Sequence, residues 1–196
     1  MSDSLISENN NIVLSNSTIS ANHVINSAGL YADKVAHKFD FGHKYRMLPF
    51  KGLYWYAPNQ TDKLTRHIYP IPDARNPFLG VHLTVTDEGK VKIGPTAIPV
   101  LGREQYSFQN LPDLLDIRSS FSSLFAMMKD SPKNLINLAV TELPKISLRV
   151  LTEGGAVLVP SSNSKIAWNT KKPGMRAQLV NVTTGKFEMD YVVRKH

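Results

Sequence analysis

The beginning of the chain alternates short apolar runs with turns rich in Asn and Ser, a pattern typical of β-strands. The apolar runs lie at 12–14 and 18–26, and polar turn residues separate them. The segment AGLYADKVAHKF (28–39) then carries its apolar residues at helical spacing, with Asp33 in the first turn. We therefore expect short strands followed by a glycine-containing turn and a helix.

Longer strands are predicted in the middle of the chain. The segment RMLPFKGLYWYA (46–57) has an internal glycine and three consecutive aromatic residues, so both faces of this strand are expected to be covered. The proline-rich stretch at 69–78 is predicted to be a loop. The segment FLGVHLTVTDEGKVKIGPTA (78–97) predicts a hairpin whose two β-rich arms are joined at 87–89.

Helical periodicity follows these strands. The segment 110–130 carries an apolar stripe, with Asn110 as the predicted N-cap. A second helix is predicted to begin at Ser131-Pro132, a cap followed by a first-turn proline, and to end before Pro144. Both stripes are expected to pack in the core. The first stripe consists of Leu111, Leu114, Leu115, Phe121, Leu124, Phe125 and Met128.

The end of the chain returns to a strand pattern. After a loop of Gly, Ser and Asn, a second hairpin is predicted around 183–186. The order is therefore strands, two or three helices, and strands again. This segregation favours an α+β fold, with an antiparallel mixed sheet and helices packed against it.

Charge changes this picture only slightly. Lys and Arg number 23 against 16 Asp and Glu, which gives a formal charge of +7. Such an excess is compatible with nucleic acid, an anionic membrane surface or acidic small molecules as partners. The sequence has no Lys/Arg run longer than two and no basic helix interleaved with aromatic residues. We therefore expect no nucleic acid as a partner.

The sequence also argues against several classes of site. It contains no cysteine, which excludes disulfides, thiolate nucleophiles and cysteine-ligated zinc. The six histidines form no i, i+4 pair, so no metal site is predicted. The N-terminal residues lack a basic region followed by an apolar core, and no stretch approaches the ~20 apolar residues of a membrane-spanning helix. A cytoplasmic location is expected, with peripheral contact to the inner membrane left open.

Three short segments contain residues that could carry chemistry. Lys51 precedes Gly52 and a run of aromatic residues, His82 lies inside the strand FLGVHLT, and Arg176 follows a Pro-Gly turn. Each residue also has an ordinary structural interpretation. Lys51 and Arg176 could be solvated surface charges, and His82 could be a hydrogen-bonded core histidine. Taken singly, these residues favour the structural interpretation.

Taken together, four segments in this order resemble one family. They are VINSAGLYADKVA, PFKGLYW, IYPIPDARNPFLGVHLTVTDEGKVKIGPTA and PGMRAQ. From about residue 10 onward the chain resembles the middle and later parts of L-2-hydroxyglutarate dehydrogenases and oxidases. These are FAD enzymes of the D-amino-acid-oxidase superfamily. The third segment is the most specific, because its length, prolines, hairpin and Gly-Pro pair all coincide with the family pattern.

The resemblance implies a reaction and a set of roles. The hydride of a 2-hydroxy acid, L-2-hydroxyglutarate, passes to FAD while a base takes the hydroxyl proton, and histidine suits that base. His82 is then the catalytic base, Arg176 the bidentate carboxylate clamp, and Lys51 and Tyr54 further substrate-binding residues. The remaining implied residues are those on the cofactor side, Ala28, Gly29, Leu30 and Gly52.

The departures from the family pattern are expected to limit activity. The G-x-G-x-x-G unit that holds the FAD diphosphate is not in this sequence, nor is the family's glycine- and serine-rich final segment. The predicted division is a remnant of the FAD-binding, Rossmann-like domain at 1–45, a substrate-binding domain at 46–182, and a hairpin arm at 183–196. Three interpretations remain open: half of a truncated or split enzyme whose partner chain supplies the missing half, an inactive remnant, or a basic anion- or nucleic-acid-binding module.

Overall fold

The structure of the chain is a computed structural model. It describes residues 6–8, 11–14, 16–57, 64–72, 78, 80–107, 109–159, 167–170, 172–190 and 192. The strands are β1 (Ile6–Glu8), β2 (Asn11–Val13), β3 (Thr18–Ser20), β4 (Tyr45–Gly52), β5 (Trp55–Ala57), β6 (His82–Val85), β7 (Val91–Gly94), β8 (Ile98–Pro99), β9 (Asn169–Thr170), β10 (Gly174–Asn181) and β11 (Lys186–Phe187). The helices are α1 (Ala32–Lys38), α2 (Leu114–Asp130), α3 (Pro132–Glu142) and α4 (Leu148–Leu158), with 3-10 turns at Gly29–Tyr31 and Leu143–Ile146.

The described strands form three antiparallel sheets. Their orders are β1-β2-β3, β11-β10-β4-β8 and β6-β7-β5-β9. In chain order, helices α2, α3 and α4 follow one another after β8 and before β9. This segregated arrangement confirms the predicted α+β class. In the described part of the chain, no helix is both long and apolar enough to cross a membrane.

Strands β4 and β10 form the longest pairing among the described strands. All eight residues of β4 are paired with β10, and Phe50 lies opposite Arg176. The inward side of this pair carries Leu48, Phe50 and Val180, which are at most 1% exposed. They pack with Met127 of α2 and Leu138 of α3 in one hydrophobic cluster. Burial of these side chains stabilises the sheet against the helices.

The sheet of β5, β6 and β7 has two chemically different faces because successive strand residues point to opposite sides. Leu83 is paired with Ile93, and both side chains are buried in a second hydrophobic cluster with Leu151 of α4. The alternate residue His82 is paired with Gly94 and faces the opposite side. The predicted hairpin at 78–97 is confirmed here as β6 and β7, joined by the turn at 87–89.

The apolar stripe of α2 was predicted to be buried, and this prediction is wrong for most of its residues, although Leu124 is partly buried against the Phe50 cluster. Leu114, Phe121, Phe125 and Met128 are each at least 57% exposed. The face of α2 that packs inward is made of small and polar residues together with Met127, and it consists of Asp116, Ser120, Ser123, Ala126 and Met127. Small side chains allow the helix to approach β4 closely.

The predicted N-cap of α2 is also wrong. The helix begins one turn later than predicted, at Leu114, and the Asp113 side chain accepts a hydrogen bond of 3.0 Å from the Leu115 amide. Helix α3 begins at Pro132 after Ser131, as predicted. It ends at Glu142, and Pro144 lies in the 3-10 turn that follows.

Three further segments can be compared with their predicted secondary structure. The segment 23–26 is not a strand, because β3 ends at Ser20. Helix α4 occupies part of a stretch for which no individual helix was predicted, and its Gly154 and Gly155 place the helix backbone against Val81 and Ile93. The predicted second hairpin is confirmed as β10 and β11.

The turn of that second hairpin depends on Gly185. Its φ is +62°, and a Cβ there would overlap the carbonyl oxygen of Ala126 in α2. We expect Gly185→Ala to lower the free energy of unfolding by about 2–4 kcal/mol, because it combines left-handed strain with displacement of helix backbone. Urea denaturation measures this loss. Gly174→Ala is the matched control because a Cβ at Gly174 meets nothing within 4 Å; equal losses in the two variants would contradict the expectation.

Candidate functional site

A cavity of about 270 Å³ lies where the ends of β4 and β10 meet the polar face of the β6–β7 hairpin. Its walls contain one histidine, one arginine, two tyrosines and several small residues. The lining residues are Phe50, Gly52, Tyr54, Tyr69, Phe78, His82, Pro95, Thr96, Ala97, Gly174, Met175 and Arg176. Four residues predicted from the sequence, His82, Arg176, Tyr54 and Gly52, are therefore together in one cavity.

His82 is held in a single orientation at the cavity wall. Its Nδ1 lies 3.0 Å from the Gly80 carbonyl oxygen, and because a carbonyl only accepts, Nδ1 carries the hydrogen and donates it. The neutral ring therefore keeps its lone pair on Nε2. The Tyr69 ring lies 4.5 Å from the imidazole, centroid to centroid, and the Tyr54 ring lies 6.5 Å away. These contacts orient a base whose Nε2 can accept a proton.

The surroundings of His82 also favour its neutral form. The side chain is only 6% exposed. Burial lowers the pKa of His82, the charge of Lys92 lowers it further, and the hydrogen bond to Gly80 only partly opposes these effects. At neutral pH the imidazole is therefore uncharged and able to act as a general base.

This lowered pKa predicts how stability changes with pH. An unfolded histidine titrates near ~6.5, so below that pH the unfolded chain binds a proton that the folded His82 resists. The stabilisation is thus fully present above the unfolded pKa and is lost as pH falls through the folded pKa. We expect His82→Gln to flatten the decline in unfolding free energy between roughly pH 7.5 and 5, as measured by urea denaturation. Identical slopes in the wild type and the variant would contradict the assignment.

Arg176 lines the same cavity from β10. Its register opposite Phe50 places it on the face of the sheet that lines the cavity, and its guanidinium carbon lies 4.9 Å above the Phe78 ring. Burial raises the pKa of Tyr54 and the nearby charge of Arg176 opposes that rise. The side chain remains exposed, so its planar donors are accessible to a carboxylate.

Two glycines allow the chain segments around the cavity to approach closely. A Cβ at Gly94 would lie 2.7 Å from the Leu53 carbonyl oxygen and 2.9 Å from the Tyr54 ring, and the φ of Gly94 is +147°. A Cβ at Gly52 would lie 3.3 Å from Pro95. Glycine at these positions therefore keeps Tyr54 next to the hairpin that carries His82.

Lys51 was predicted to bind substrate, and the structure places it elsewhere. It lies between Phe50 and Gly52 on β4, so its side chain points to the other face of the strand. There it forms part of a second cavity of about 540 Å³. Lys51 is completely buried, and burial lowers its pKa. The structure therefore does not bring Lys51 together with His82 and Arg176.

The predicted cofactor-side residues Ala28, Gly29 and Leu30 also lie outside the His82 cavity. They form the turn before α1, where Gly29 has a φ of +53° and the Tyr31 amide donates to the Ala28 carbonyl over 3.0 Å. The Asn26 side chain braces this turn by donating to the Ala32 carbonyl oxygen over 2.7 Å.

A buried ion network that was not predicted fixes this turn to the rest of the molecule. Arg103 is 2% exposed; its guanidinium bonds both Asp33 carboxylate oxygens at 2.6 and 2.9 Å and Asp116 of α2 at 3.0 Å. It also donates to the Leu30 carbonyl oxygen. Burial alone would raise the pKa of Asp33, but the bonds and charge of Arg103 hold that pKa below its usual value.

Two residues beside the His82 cavity were not predicted from the sequence. Tyr69 lies in the stretch predicted as a proline-rich loop, and it lines the cavity beside His82. Lys92 is on β7, and its Nζ lies 4.7 Å from the centre of the Tyr54 ring. The register of the hairpin could have indicated Lys92, because its pairing with Thr84 places it on the same face as His82.

Comparison with known proteins is consistent with these features. Residues 4–142 match the family model of FAD-dependent oxidoreductases known as DAO. The L-2-hydroxyglutarate dehydrogenase of Indibacter alkaliphilus is 31% identical over 92% of this chain and 45% of its own length. The mitochondrial L-2-hydroxyglutarate dehydrogenase of Nematostella vectensis is 40% identical over 50% of this chain and 22% of its own length. The chain spans less than half the length of these relatives.

Among solved structures, a glycine oxidase from Bacillus cereus ATCC 14579 is similar to this chain. The match covers 91% of this chain and 38% of that protein, with a TM-score of 0.46 and 16% sequence identity.

Proposed function

This chain belongs to the DAO family of FAD-dependent oxidoreductases, and from that premise we propose that it provides the substrate site for oxidation of a 2-hydroxy acid. The proposed substrate is L-2-hydroxyglutarate and the product is 2-oxoglutarate. The observation that carries the proposal is the placement of His82 and Arg176 in the walls of one small cavity. The names of the relatives that match this chain support the same substrate.

Each of the two residues has a distinct role in this proposal. The Arg176 guanidinium binds the C1 carboxylate and thereby orients C2 and its hydroxyl toward His82. His82 Nε2 accepts the hydroxyl proton as the C2–O bond becomes a carbonyl. The rings of Tyr54, Tyr69 and Phe78 surround the acid and reduce its access to water. Oxidation at C2 also requires a hydride acceptor, and that is the chemistry that FAD would supply when bound.

The residues present fit the acid better than they fit FAD. The His82 cavity, at about 270 Å³, is slightly smaller than the roughly 300–1,000 Å³ of drug-sized ligand pockets, and it suits a five-carbon acid. The sequence has no G-x-G-x-x-G loop to hold a diphosphate. We therefore assign no step through FAD to the residues of this chain. We propose that polypeptide outside these 196 residues holds the FAD diphosphate.

The structure suggests a different partner for the second carboxylate than the one first expected. Lys51 faces the other cavity, whereas Lys92 lies over Tyr54 on the same side of its sheet as His82. We propose that Lys92 binds the C5 carboxylate of the dicarboxylic acid. A cation beside Tyr54, in addition to the guanidinium of Arg176, would distinguish a dicarboxylate from a monocarboxylate.

We propose that the chain consists of the three segments predicted from the sequence. Residues 1–45 would lie on the cofactor side, residues 46–182 would form the substrate domain, and residues 183–196 would return toward the cofactor side. The network of Arg103 with Asp33 and Asp116 joins the first two of these segments, because Asp33 lies in 1–45 and Arg103 and Asp116 lie in 46–182.

Titration calorimetry on the purified chain tests the proposed substrate site. We expect L-2-hydroxyglutarate to bind more tightly than 2-hydroxybutanoate, which lacks the second carboxylate. Lys92→Met should weaken binding of the dicarboxylate about tenfold and leave the monocarboxylate unchanged, since one charge-assisted contact is lost. Lys90→Met is the matched control, because Lys90 pairs with the exposed Glu88 on the same hairpin. Absence of binding, or equal affinity for both acids, would refute the dicarboxylate site.

A further inference from the structure

Helix α2 presents an apolar stripe on the side that faces away from β4. Leu114, Phe121, Phe125 and Met128 are each at least 57% exposed, and Leu111, just before the helix, is 95% exposed. These five residues are called the outer stripe below. A continuous row of large apolar side chains at this exposure marks an interaction surface. None of them lines the His82 cavity, so this surface is separate from the proposed substrate site.

The spacing of the outer stripe is that of a coiled-coil seam. From Leu111 to Met128, its residues and Arg118 follow one another at alternating steps of three and four positions. This is the repeat by which two helices interlock their side chains. The buried residues of α2, which include Ser123 and Met127, occupy other positions of the repeat. A second helix can therefore pack on the seam while α2 keeps its contacts with β4.

Arg118 is the one charged residue on the seam, and it selects the orientation of the second helix. If that helix is α2 of a second copy, parallel packing places the two exposed guanidiniums opposite each other, and like charges in contact are unfavourable. Antiparallel packing instead places Arg118 opposite Phe121 of the second copy, and Leu114 opposite Phe125. The guanidinium then lies against an aromatic ring, which is a favourable cation–π pair.

The two ends of α2 are also complementary in charge. Asp113 caps the N-terminus and Lys129 lies in the last turn, and both residues are exposed. Antiparallel packing brings Lys129 of one copy toward Asp113 of the other at each end of the seam. The helix dipoles then run in opposite directions, which is also favourable. The charges of α2 thus match a second copy of the same helix.

We propose that the outer stripe of α2 is a dimer interface at which two copies of this chain pack antiparallel about a two-fold axis. In such a contact each residue is used twice. Burial of Phe121 and Phe125 supplies most of the binding energy, because aromatic side chains dominate interfaces of this kind. The proposal rests on α2 alone, so it stands whether or not a 2-hydroxy acid binds beside His82.

Sedimentation equilibrium of the purified chain at several concentrations tests this interface. We expect a reversible change from the monomer mass to the dimer mass as the concentration rises. Phe125→Glu should raise the dissociation constant of the dimer about 100-fold, because a charge replaces a buried ring twice in each dimer. Its circular dichroism spectrum should match the wild type, since Phe125 is exposed in the monomer. Val157→Glu, at an 82% exposed position of α4, is the matched control and should leave the dissociation constant unchanged.

Disulfide cross-linking tests the orientation of the two helices. The sequence contains no cysteine, so every cross-link reports an introduced pair. We expect Leu114→Cys and Phe125→Cys to form a mixed disulfide with each other under mild oxidation, because antiparallel packing places these two positions opposite each other. That mixed dimer keeps the Leu114–Phe125 contact at its other end. Neither variant alone should cross-link, whereas parallel packing would cross-link each variant with itself.

Three results would overturn the proposal. The first is a wild-type chain that stays monomeric at every concentration, and the second is an equal loss of association in Val157→Glu and Phe125→Glu. The third is self-cross-linking of the single cysteine variants with no mixed disulfide. Binding of a monomeric wild-type chain to phosphatidylglycerol vesicles, lost in Phe125→Glu, would assign the outer stripe to a membrane surface and would likewise overturn the dimer.

Discussion

Replacing Arg103 with methionine should lower the free energy of unfolding by about 3–5 kcal/mol, which is the usual cost of removing one partner from a buried ion pair. The guanidinium is nearly inaccessible and is bonded to Asp33, Asp116 and the Leu30 carbonyl. Methionine matches the apolar stem but leaves Asp33 buried without its cation. Urea denaturation followed by circular dichroism measures the loss.

The pH dependence of the Arg103→Met variant distinguishes an electrostatic loss from a packing loss. In the wild type, the pKa values of Asp33 and Asp116 are lower in the folded state than in the unfolded chain. The resulting stability is present at pH values above the unfolded-state pKa and is lost as the pH falls through the folded-state pKa. Without Arg103, burial raises the pKa of Asp33, so the variant should regain stability as the pH is lowered toward about 4. A packing loss would show no such recovery.

An exposed arginine provides the control for Arg103. Arg149 pairs with Glu153 over 2.8 Å on the surface of α4, where both side chains are more than half exposed. Arg149→Met should leave the unfolding transition unchanged, because solvent screens such pairs. Arg103→Lys should fall between the wild type and Arg103→Met, since it keeps the charge and loses the fork of donors. An Arg103→Met variant as stable as Arg149→Met would contradict the role given to this network.

Arg176→Gln should weaken binding of L-2-hydroxyglutarate to the chain by about 100-fold, because it removes a bidentate, charge-assisted contact with the C1 carboxylate. The register opposite Phe50 and the contact with Phe78 fix the position of the guanidinium in the cavity. Titration calorimetry measures the change. Arg176→Lys should recover only part of the affinity, since an ammonium group offers a point charge without the fork.

The control for Arg176 is Arg118→Gln on the exposed surface of α2, which removes the same charge at a residue that does not line the cavity. This variant should bind the acid as tightly as the wild type at physiological ionic strength, because salt screens distant charges. An equal loss of affinity in Arg118→Gln would show that net charge, and not a carboxylate clamp, controls binding.

Elements with strong local signals were predicted well from the sequence. The β6–β7 hairpin has β-rich arms joined by a glycine turn, and α3 has a Ser-Pro start, so both are specified by residues next to one another. The buried face of α2 was not predictable in this way. Periodicity shows that Phe121 and Phe125 share a face, but Ser120 is buried instead because its hydroxyl donates to the Leu101 carbonyl over 3.1 Å.

In the candidate site, too, some residues could be predicted from the sequence and others depend on tertiary structure. Resemblance to a family identified His82, Arg176, Tyr54 and Gly52, and the structure brings these four into one cavity. The placement of Lys51 depends on which face of β4 each residue occupies, and that requires the pairing with β10. The Arg103 network joins residues that lie 70 and 13 positions away along the chain, a distance at which the sequence alone gives no local signal.

The most direct test of the proposed substrate site is the NMR signal of the His82 imidazole nitrogens during titration with L-2-hydroxyglutarate. We expect Nε2 to shift saturably as it accepts a hydrogen bond from the 2-hydroxyl, while Nδ1 stays bonded to Gly80. The shift should be lost in Arg176→Gln at the same concentration. Binding of the acid with no change at Nε2, or an equal change in Arg176→Gln, would contradict the proposed roles of His82 and Arg176.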